Sequence, residues 1–294
     1  MKRFKNNPIL EPLAGHYWEN RTVFNAAALY AGDKVHIIYR AMGDDNVSRL
    51  GYANSGDGYS IDFRQPEPAF SPDEPCENLG VEDPRITAMN DECLMTYTAY
   101  RNNPINAYQI SLTTISLEDL LAERWNWGER WLPFNGIQNK NAVIFPRKIG
   151  GRYVMYHRIE PHLCVAYSKD LKQWCDMRAL MGPRPDKWDS LKVGSASPPM
   201  EINEGWLFLY HGVDYNYVYR LGVLLIDKDD PEHILYRSDE PILEPREEYE
   251  RFGKVPNVVF SCGSVLLDDK LLVYYGGADT VVCGAEYELS ELLP

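Results

Sequence analysis

Short apolar runs, each reaching a tyrosine, recur along the chain at nearly constant spacing. They are rich in Val, Ile, Leu and Met, and successive tyrosines are separated by 58, 59, 54 and 65 residues. The five tyrosines are Tyr39, Tyr97, Tyr156, Tyr210 and Tyr275. A repeat of this length that fills 294 residues predicts five similar units rather than two unrelated domains.

Each tyrosine run is preceded by another β-like run and a turn of Gly, Asn or Asp, which is typical of hairpins. A third strand-like stretch follows each run, namely Ser48–Ala53, Tyr108–Ile115, Leu163–Ser168, Arg220–Ile226 and Val281–Leu289. Three strands per unit, with room for a fourth, predict an all-β five-bladed β-propeller that forms a single domain over residues 1–294. A β-sandwich with regular turn spacing is the alternative. The best helical signal is short, at Leu117–Ala122.

Composition narrows the classes of partner. The formal net charge is −13, which argues against nucleic acid and anionic membrane surfaces. No stretch approaches the roughly 20 apolar residues of a membrane span, and no signal peptide is visible. The six cysteines are scattered without a CxxC pair, which indicates reduced thiols of a cytoplasmic protein. The histidines show no metal-ligand spacing, and we expect no cofactor.

One repeat position predicts where the blades converge. Fourteen residues before the tyrosines lie Asn25, Asp83, Ala196 and Ser261, and Asn141 lies fifteen before the third tyrosine. The innermost strands of a propeller line its central channel, so these residues are expected to face one another at one mouth. Asp83 alone among them is ionisable, which makes it the candidate acid.

The sequence around Asp83 is unusual for the start of a strand. Pro84 removes a backbone donor and predicts an extended conformation at Asp83. Strand alternation then places Glu82 on the opposite side, and Arg85 on the same side, where it could hold the carboxylate or a ligand. A purely structural Asp–Arg bridge is the alternative.

Basic residues gather at the same predicted mouth. Arg40, Arg158 and His211 follow tyrosine runs, while Lys140 and Lys192 precede the ring positions. Arginine and lysine are good binders of phosphate, so one acid beside such a group suits phosphorolysis, in which phosphate is the nucleophile and a second carboxylate is dispensable. Unrelated surface charge is the alternative.

The motifs resemble those of glycoside hydrolase family 130, the β-mannoside phosphorylases and β-mannosidases on five-bladed propellers. The resemblance covers essentially the whole chain. It is carried by Gly80–Ile86 (GVEDPRI), Lys140–Pro146 (KNAVIFP), His157-Arg158 in YVMYHRIEP, Lys192–Pro199 (KVGSASPP), Gly205–Val213 (GWLFLYHGV) and Tyr274–Thr280 (YYGGADT).

This resemblance implies that Asp83 is the sole general acid and acts through a hydroxyl of the mannose whose bond is cleaved. Inorganic phosphate would attack C1 with inversion and give α-D-mannose 1-phosphate and a shortened sugar. The phosphate pocket maps onto Arg158, Lys192 and Lys140, with His211 and Tyr219 as neighbours. The sugar contacts map onto Asn25, Arg40, Phe260 and Asp279, and Arg85 joins them from the residue argument above.

Two departures from the family pattern are visible. Lys140 stands where some family phosphorylases carry arginine, and Lys192–Pro199 replaces a more glycine-rich form. The HRIEP wording favours β-1,2-linked over β-1,4-linked mannosides.

A hydrolase of the same family would need a carboxylate to activate water, for which Glu160 and Asp214 are the candidates. A non-catalytic sugar-binding propeller is the alternative of another class. The sequence leaves the linkage, the acceptor sugar and the oligomeric state open, with a homo-oligomer among the possibilities.

Overall fold

The computed structural model describes residues 1–103 and 105–293, and nearly all of its regular structure is β. The α-helices within these residues are α1 (Leu117–Leu121) and α2 (Glu248–Arg251). Helix α1 begins after Ser116, whose hydroxyl accepts a hydrogen bond from the Asp119 backbone N–H at 3.0 Å, as a capping residue does. The predicted short helix is confirmed. Within the described ranges, no helix is long and apolar enough to cross a membrane.

The strands fall into five successive antiparallel groups, which we call blades 1 to 5. Blade 1 contains β2 (Thr22–Ala31), β3 (Lys34–Met42), β4 (Ser48–Ser55) and β5 (Phe63–Arg64), and blade 2 contains β6 (Gly80–Met89), β7 (Glu92–Tyr100) and β8 (Tyr108–Ser116). Blade 3 contains β9 (Lys140–Ile144), β10 (Tyr153–Ile159), β11 (His162–Ser168) and β12 (Trp174–Met181). Blade 4 contains β13 (Lys192–Ser195), β14 (Met200–Ile202), β15 (Gly205–Val213), β16 (Tyr219–Ile226) and β17 (Ile234–Arg237). Blade 5 contains β18 (Val259–Leu267), β19 (Lys270–Gly277) and β20 (Val281–Glu288), with β1 (Lys2–Arg3) paired to β20.

Blades 1 and 2 are joined edge to edge by one parallel bridge between Ser48 and Gly80. Gly80 has φ +137°, and a Cβ there would lie 2.7 Å from the Ser48 backbone nitrogen. Glycine is required because the backbones approach too closely for any side chain. The bridge fixes the start of β6, three residues before Asp83.

The apolar core lies between the blades. Each of five buried clusters combines side chains from two neighbouring blades, and the last cluster joins blade 5 to blade 1. Representative members, in cyclic order, are Tyr52 with Tyr97, Leu112 with Met155, Tyr156 with Phe208, Leu209 with Tyr275, and Tyr274 with Tyr39. Burial of both faces of each sheet in a closed cycle is what a five-bladed propeller requires and what a two-sheet sandwich lacks. The all-β class is confirmed.

The repeating tyrosines lie on the second long strand of each blade and are almost completely buried. Four of them donate a hydrogen bond from the phenol to a carboxylate that is itself fully buried, and an arginine holds each carboxylate in turn. The four clusters are Tyr39 with Glu19 and Arg64, Tyr97 with Glu77 and Arg130, Tyr210 with Asp189 and Arg237, and Tyr275 with Glu250 and Arg3. In blade 3, Tyr156 donates to the Pro231 carbonyl instead. We refer to the four as the tyrosine–carboxylate clusters.

Candidate active site

Irregularities near the start of β2, β6 and β9, the first strands of blades 1, 2 and 3, bring three polar side chains into one cavity. Asn25, Asp83 and Asn141 have φ values of +51°, +51° and +57°, and the pairing of each strand with its neighbour shifts at that point. Asn and Asp tolerate this left-handed conformation better than other residues with side chains. The bulge turns each side chain towards the axis. The other two ring positions, Ala196 and Ser261, are buried and do not line the cavity.

The predicted extended conformation of Asp83 is wrong. Pro84 disfavours the right-handed helical conformation for the residue before it, Asp83. The bulge nevertheless gives Asp83 a left-handed backbone, which the local sequence does not encode. The strand alternation argument therefore also fails for its neighbours. Glu82 and Asp83 reach the same guanidinium group, that of Arg40, rather than opposite sides of the strand.

The Asp83 carboxylate is anchored by one oxygen. Its Oδ1 accepts hydrogen bonds from Asn25 Nδ2 at 2.8 Å and from Arg40 Nη1 at 3.2 Å. No donor from the described residues reaches Oδ2. Burial alone would raise the pKa of Asp83, but Arg40 and Lys140 outweigh it and hold the pKa at about 2. We call Asn25, Arg40 and Asp83 the acid side of the cavity.

The opposite part of the site is cationic, and we call Lys140, Arg158 and Lys192 its anion side. The two lysines each have a carboxylate partner: Lys140 Nζ lies 3.0 Å from Glu82 Oε2, and Lys192 Nζ lies 2.7 Å from Glu160 Oε1. Arg158 differs from the lysines. It is nearly buried, at 9% exposure, yet no carboxylate of the described residues lies within ion-pair distance of its guanidinium group. Its guanidinium instead lies 3.4 Å from the ring nitrogen Nε2 of His211.

His211 lies one layer behind the cavity. Its Nδ1 lies 3.2 Å from the Ser195 carbonyl, so Nδ1 is the donor and Nε2 the acceptor for Arg158. Burial, followed by the nearby Arg158 charge, lowers the pKa of His211 well below its usual value, so the ring is neutral. A Cβ on Gly194 would come within 2.6 Å of the His211 ring and 3.1 Å of Arg158, so glycine at this position admits the pair.

The cavity between the two sides has a volume of about 190 Å³. Its lining contains eight of the eleven site residues predicted from the sequence: Asn25, Arg40, Asp83, Lys140, Arg158, Tyr219, Phe260 and Asp279. Asn141, Val255 and Val258 complete it. The amide oxygens of Asn25 and Asn141 are buried without a hydrogen-bond partner among the described residues. Unsatisfied buried acceptors of this kind indicate a place for donors from a ligand, such as sugar hydroxyls.

Lys192, His211 and Arg85 do not line the cavity. Lys192 lies beyond Tyr219, with its ammonium group 5.9 Å from the ring centroid. Arg85 is 2% exposed, and its guanidinium donates to the backbone carbonyls of Asp83, Ser195 and Ala196 at 2.9, 3.1 and 2.7 Å. The expectation that Arg85 could hold the Asp83 carboxylate is wrong, because the bulge turns that carboxylate away and backbone oxygens take the arginine donors.

Asp279 also lines the cavity, close to Arg40 and Asp83 on the acid side. Its backbone is also left-handed, at φ +51°. Burial raises the pKa of Asp279 to about 6, against the opposing influence of Arg40. The neighbouring Lys254, which the sequence did not single out, has its pKa lowered by burial and by Arg40. The sequence repeat could not identify Lys254, because this residue lies five positions before β18, the first long strand of blade 5, and outside the positions that recur in every blade.

Comparison with known proteins places this chain and its fold among carbohydrate-active enzymes. The solved structure of the β-1,2-mannobiose phosphorylase from Listeria innocua, in complex with β-1,2-mannobiose, superposes with a TM-score of 0.87 at 26% identity, over 99% of this chain and 97% of that one. The sequence model of a family described as β-1,4-mannooligosaccharide phosphorylase matches residues 1–294 of this chain. The chain belongs to glycoside hydrolase family 130.

Two curated relatives come from Thermoanaerobacter sp. (strain X514). A 1,2-β-oligomannan phosphorylase is 40% identical over 299 aligned positions, which span 99% of this chain and 98% of the relative. A β-1,2-mannobiose phosphorylase is 41% identical over 293 positions, which span 95% and 94%. The similarity thus extends over nearly the full length of each relative, and both relatives are phosphorylases.

Proposed function

We propose that this protein catalyses the inverting phosphorolysis of β-1,2-linked mannosides to α-D-mannose 1-phosphate and a shortened sugar. The observation that carries the proposal is Arg158: a nearly buried guanidinium that faces the cavity without a carboxylate partner in the described residues. Burying an arginine without a counter-charge is costly, so the site is built for an anionic ligand. Phosphate matches the planar arrangement of arginine donors.

On the acid side, Asp83 supplies the proton. Its Oδ1 is held by Asn25 and Arg40, which leaves Oδ2 free to carry a proton towards the substrate. The proton passes through a hydroxyl of the mannose to the glycosidic oxygen, which leaves with the shortened sugar as the C1–O bond breaks. The cavity must then raise the proton affinity of Asp83 when substrate binds, since a general acid needs its proton at the working pH.

On the anion side, phosphate is the nucleophile. Arg158 and Lys140 line the cavity and would orient a phosphate oxygen towards C1 on the face opposite the leaving group. The new C1–O–P bond forms as the old bond breaks, which inverts the anomeric configuration. Neutral His211 keeps Arg158 in place without competing for its charge. Phosphate is the co-substrate, and we propose no cofactor.

The hydrolase alternative is less well supported by the geometry. Hydrolysis with inversion needs a carboxylate that is free to activate water. Of the two candidates, Glu160 binds Lys192, while Asp214 binds Arg220 at 2.9 Å and accepts two backbone hydrogen bonds. Both carboxylates are already engaged, so neither is a free base in this arrangement.

The preference for the β-1,2 linkage rests on the relatives. Both Thermoanaerobacter proteins act on β-1,2-linked mannosides by name, and the HRIEP motif of this chain favours the same branch. One relative is named for oligomannan and the other for mannobiose, so we leave the chain length of the substrate open.

We also propose that the protein is located in the cytoplasm.

The test is incubation with β-1,2-mannobiose and with β-1,4-mannobiose, each with and without inorganic phosphate. Release of mannose 1-phosphate that depends on phosphate, and is faster from the β-1,2-linked sugar, is the expected result. Free mannose released at a rate indifferent to phosphate would identify a hydrolase. Binding of either sugar without any turnover would indicate a non-catalytic sugar-binding protein.

A further inference from the structure

Glu82 connects the two sides of the cavity, although sequence reasoning assigned it no role. Its Oε1 accepts a hydrogen bond from Arg40 Nη2 at 2.5 Å, and its Oε2 accepts one from Lys140 Nζ at 3.0 Å. Arg40 donates from its other terminal nitrogen to Asp83. Among the described residues, no other carboxylate forms ion pairs with cations on both sides.

Glu82 lies behind the cavity lining rather than in it. Its side chain is 7% exposed and it is absent from the cavity lining, whereas Arg40 and Lys140 both belong to that lining. A buried carboxylate that uses each oxygen for a different cation fixes the distance between those cations. Any effect of Glu82 on the reaction must therefore act through Arg40, Lys140 or the electrostatic potential at Asp83.

We propose that Glu82 is a positioning residue for the proposed phosphorolysis, which this inference presupposes. It holds Arg40 against Asp83 and Lys140 at the edge of the phosphate position, so that the acid and the nucleophile keep a fixed separation. Its negative charge also offsets the two cations and allows Asp83 to take up a proton.

The charges around Asp83 determine the sign of this effect. Arg40, Lys140 and Arg85 stabilise the ionised form of Asp83, and Arg40 in turn interacts with Glu82, Asp83 and Asp279. Lys254 faces Arg40, Asp279 and Glu82 from the loop before β18. Removing the charge of Glu82 leaves these cations with one carboxylate fewer, which lowers the pKa of Asp83. Because the acid must be protonated, the alkaline limb of the kcat profile should move to lower pH.

The experiment compares kcat and the KM for phosphate of the wild-type enzyme and of Glu82→Gln across the neutral pH range. We expect the alkaline limb of Glu82→Gln to move down by about one pH unit, and kcat at neutral pH to fall about tenfold or more. Glu82→Asp keeps the charge and should retain the wild-type limb. Glu201→Gln, which removes the carboxylate partner of Arg147 at the surface, should also leave the limb in place, because neither residue lines the cavity.

Lys140→Met tests the bridge from its other end and does not depend on Glu82→Gln folding. Removing this cation should move the limb to higher pH and raise the KM for phosphate. The Glu82→Gln shift should persist in an Asp279→Asn background, because it belongs to Asp83. A limb that stays fixed in both Glu82→Gln and Lys140→Met would overturn the inference. A wild-type enzyme that releases mannose without phosphate would overturn the proposed function instead.

Discussion

The molecule holds buried carboxylates with arginines in two regions, and the two regions differ in what they leave unsatisfied. In the tyrosine–carboxylate clusters every carboxylate oxygen has protein donors: Glu77, for example, accepts from Tyr97, Arg130 and two backbone N–H groups. In the cavity, the hydrogen bonds that Asp83 accepts from described residues all go to Oδ1. The amide oxygens of Asn25 and Asn141 are buried without a partner among those residues. Charge and burial are thus shared features, and open hydrogen-bonding capacity distinguishes the site.

The largest expected contrast is in turnover. Asp83→Asn preserves shape but removes the only proton donor on the acid side, so turnover should fall more than about a thousandfold. The melting temperature should stay near the wild-type value. Steady-state assays with mannobiose and phosphate, alongside thermal unfolding, check both halves. Near-normal turnover in this variant would remove Asp83 as the acid.

The matching change in a tyrosine–carboxylate cluster should act on stability instead. Glu77→Gln leaves Arg130 without its counter-charge and places an amide donor against other donors, which should cost about 3–5 kcal/mol in the free energy of unfolding. The KM values of the folded fraction should remain unchanged. Denaturant unfolding and kinetics below the transition test this. Loss of activity without loss of stability would mean that the clusters communicate with the cavity.

Arg158→Ala sharpens the comparison within the cavity. The KM for phosphate should rise about tenfold to a hundredfold, which corresponds to losing hydrogen bonds from a charged group, while the KM for the mannoside changes little. Arg152→Ala is the matched control, since Arg152 is an exposed arginine next to the same strand and binds Asp176. An effect confined to the sugar KM would remove Arg158 from the phosphate pocket.

Periodicity in the sequence was sufficient to predict much of this arrangement. The spacing of the tyrosines predicted the blades, and counting back from them found the three positions that point into the cavity. The same counting could have found two of the four buried carboxylates, because Glu19 and Glu77 each precede their tyrosine by 20 residues. A search for acids at constant offsets from the repeat would have detected that signal.

The remaining features depend on tertiary contacts. The left-handed backbone at Asp83 comes from a bulge against β7, and it places Glu82 beside Arg40 in a way that strand alternation cannot predict. The placement of His211 behind Arg158 depends on how closely β13 approaches β15 at Gly194. The role of Glu82 and the exact placement of His211 therefore escaped sequence reasoning, whereas most of the residues lining the cavity did not.

The pairing of β1 with β20 has a consequence for the order in which the protein is made. Arg3 leaves the ribosome early, but its carboxylate partner Glu250 follows 247 residues later, and the cavity residues Phe260 and Asp279 later still. A nascent chain can form the apolar cores between blades 1 to 4 while β1 remains unpaired, because its partner β20 has not yet been synthesised. Closure of the ring and completion of the cavity are then the same late event, so an incompletely synthesised chain holds Asp83 but lacks the part of the lining that Phe260 and Asp279 provide.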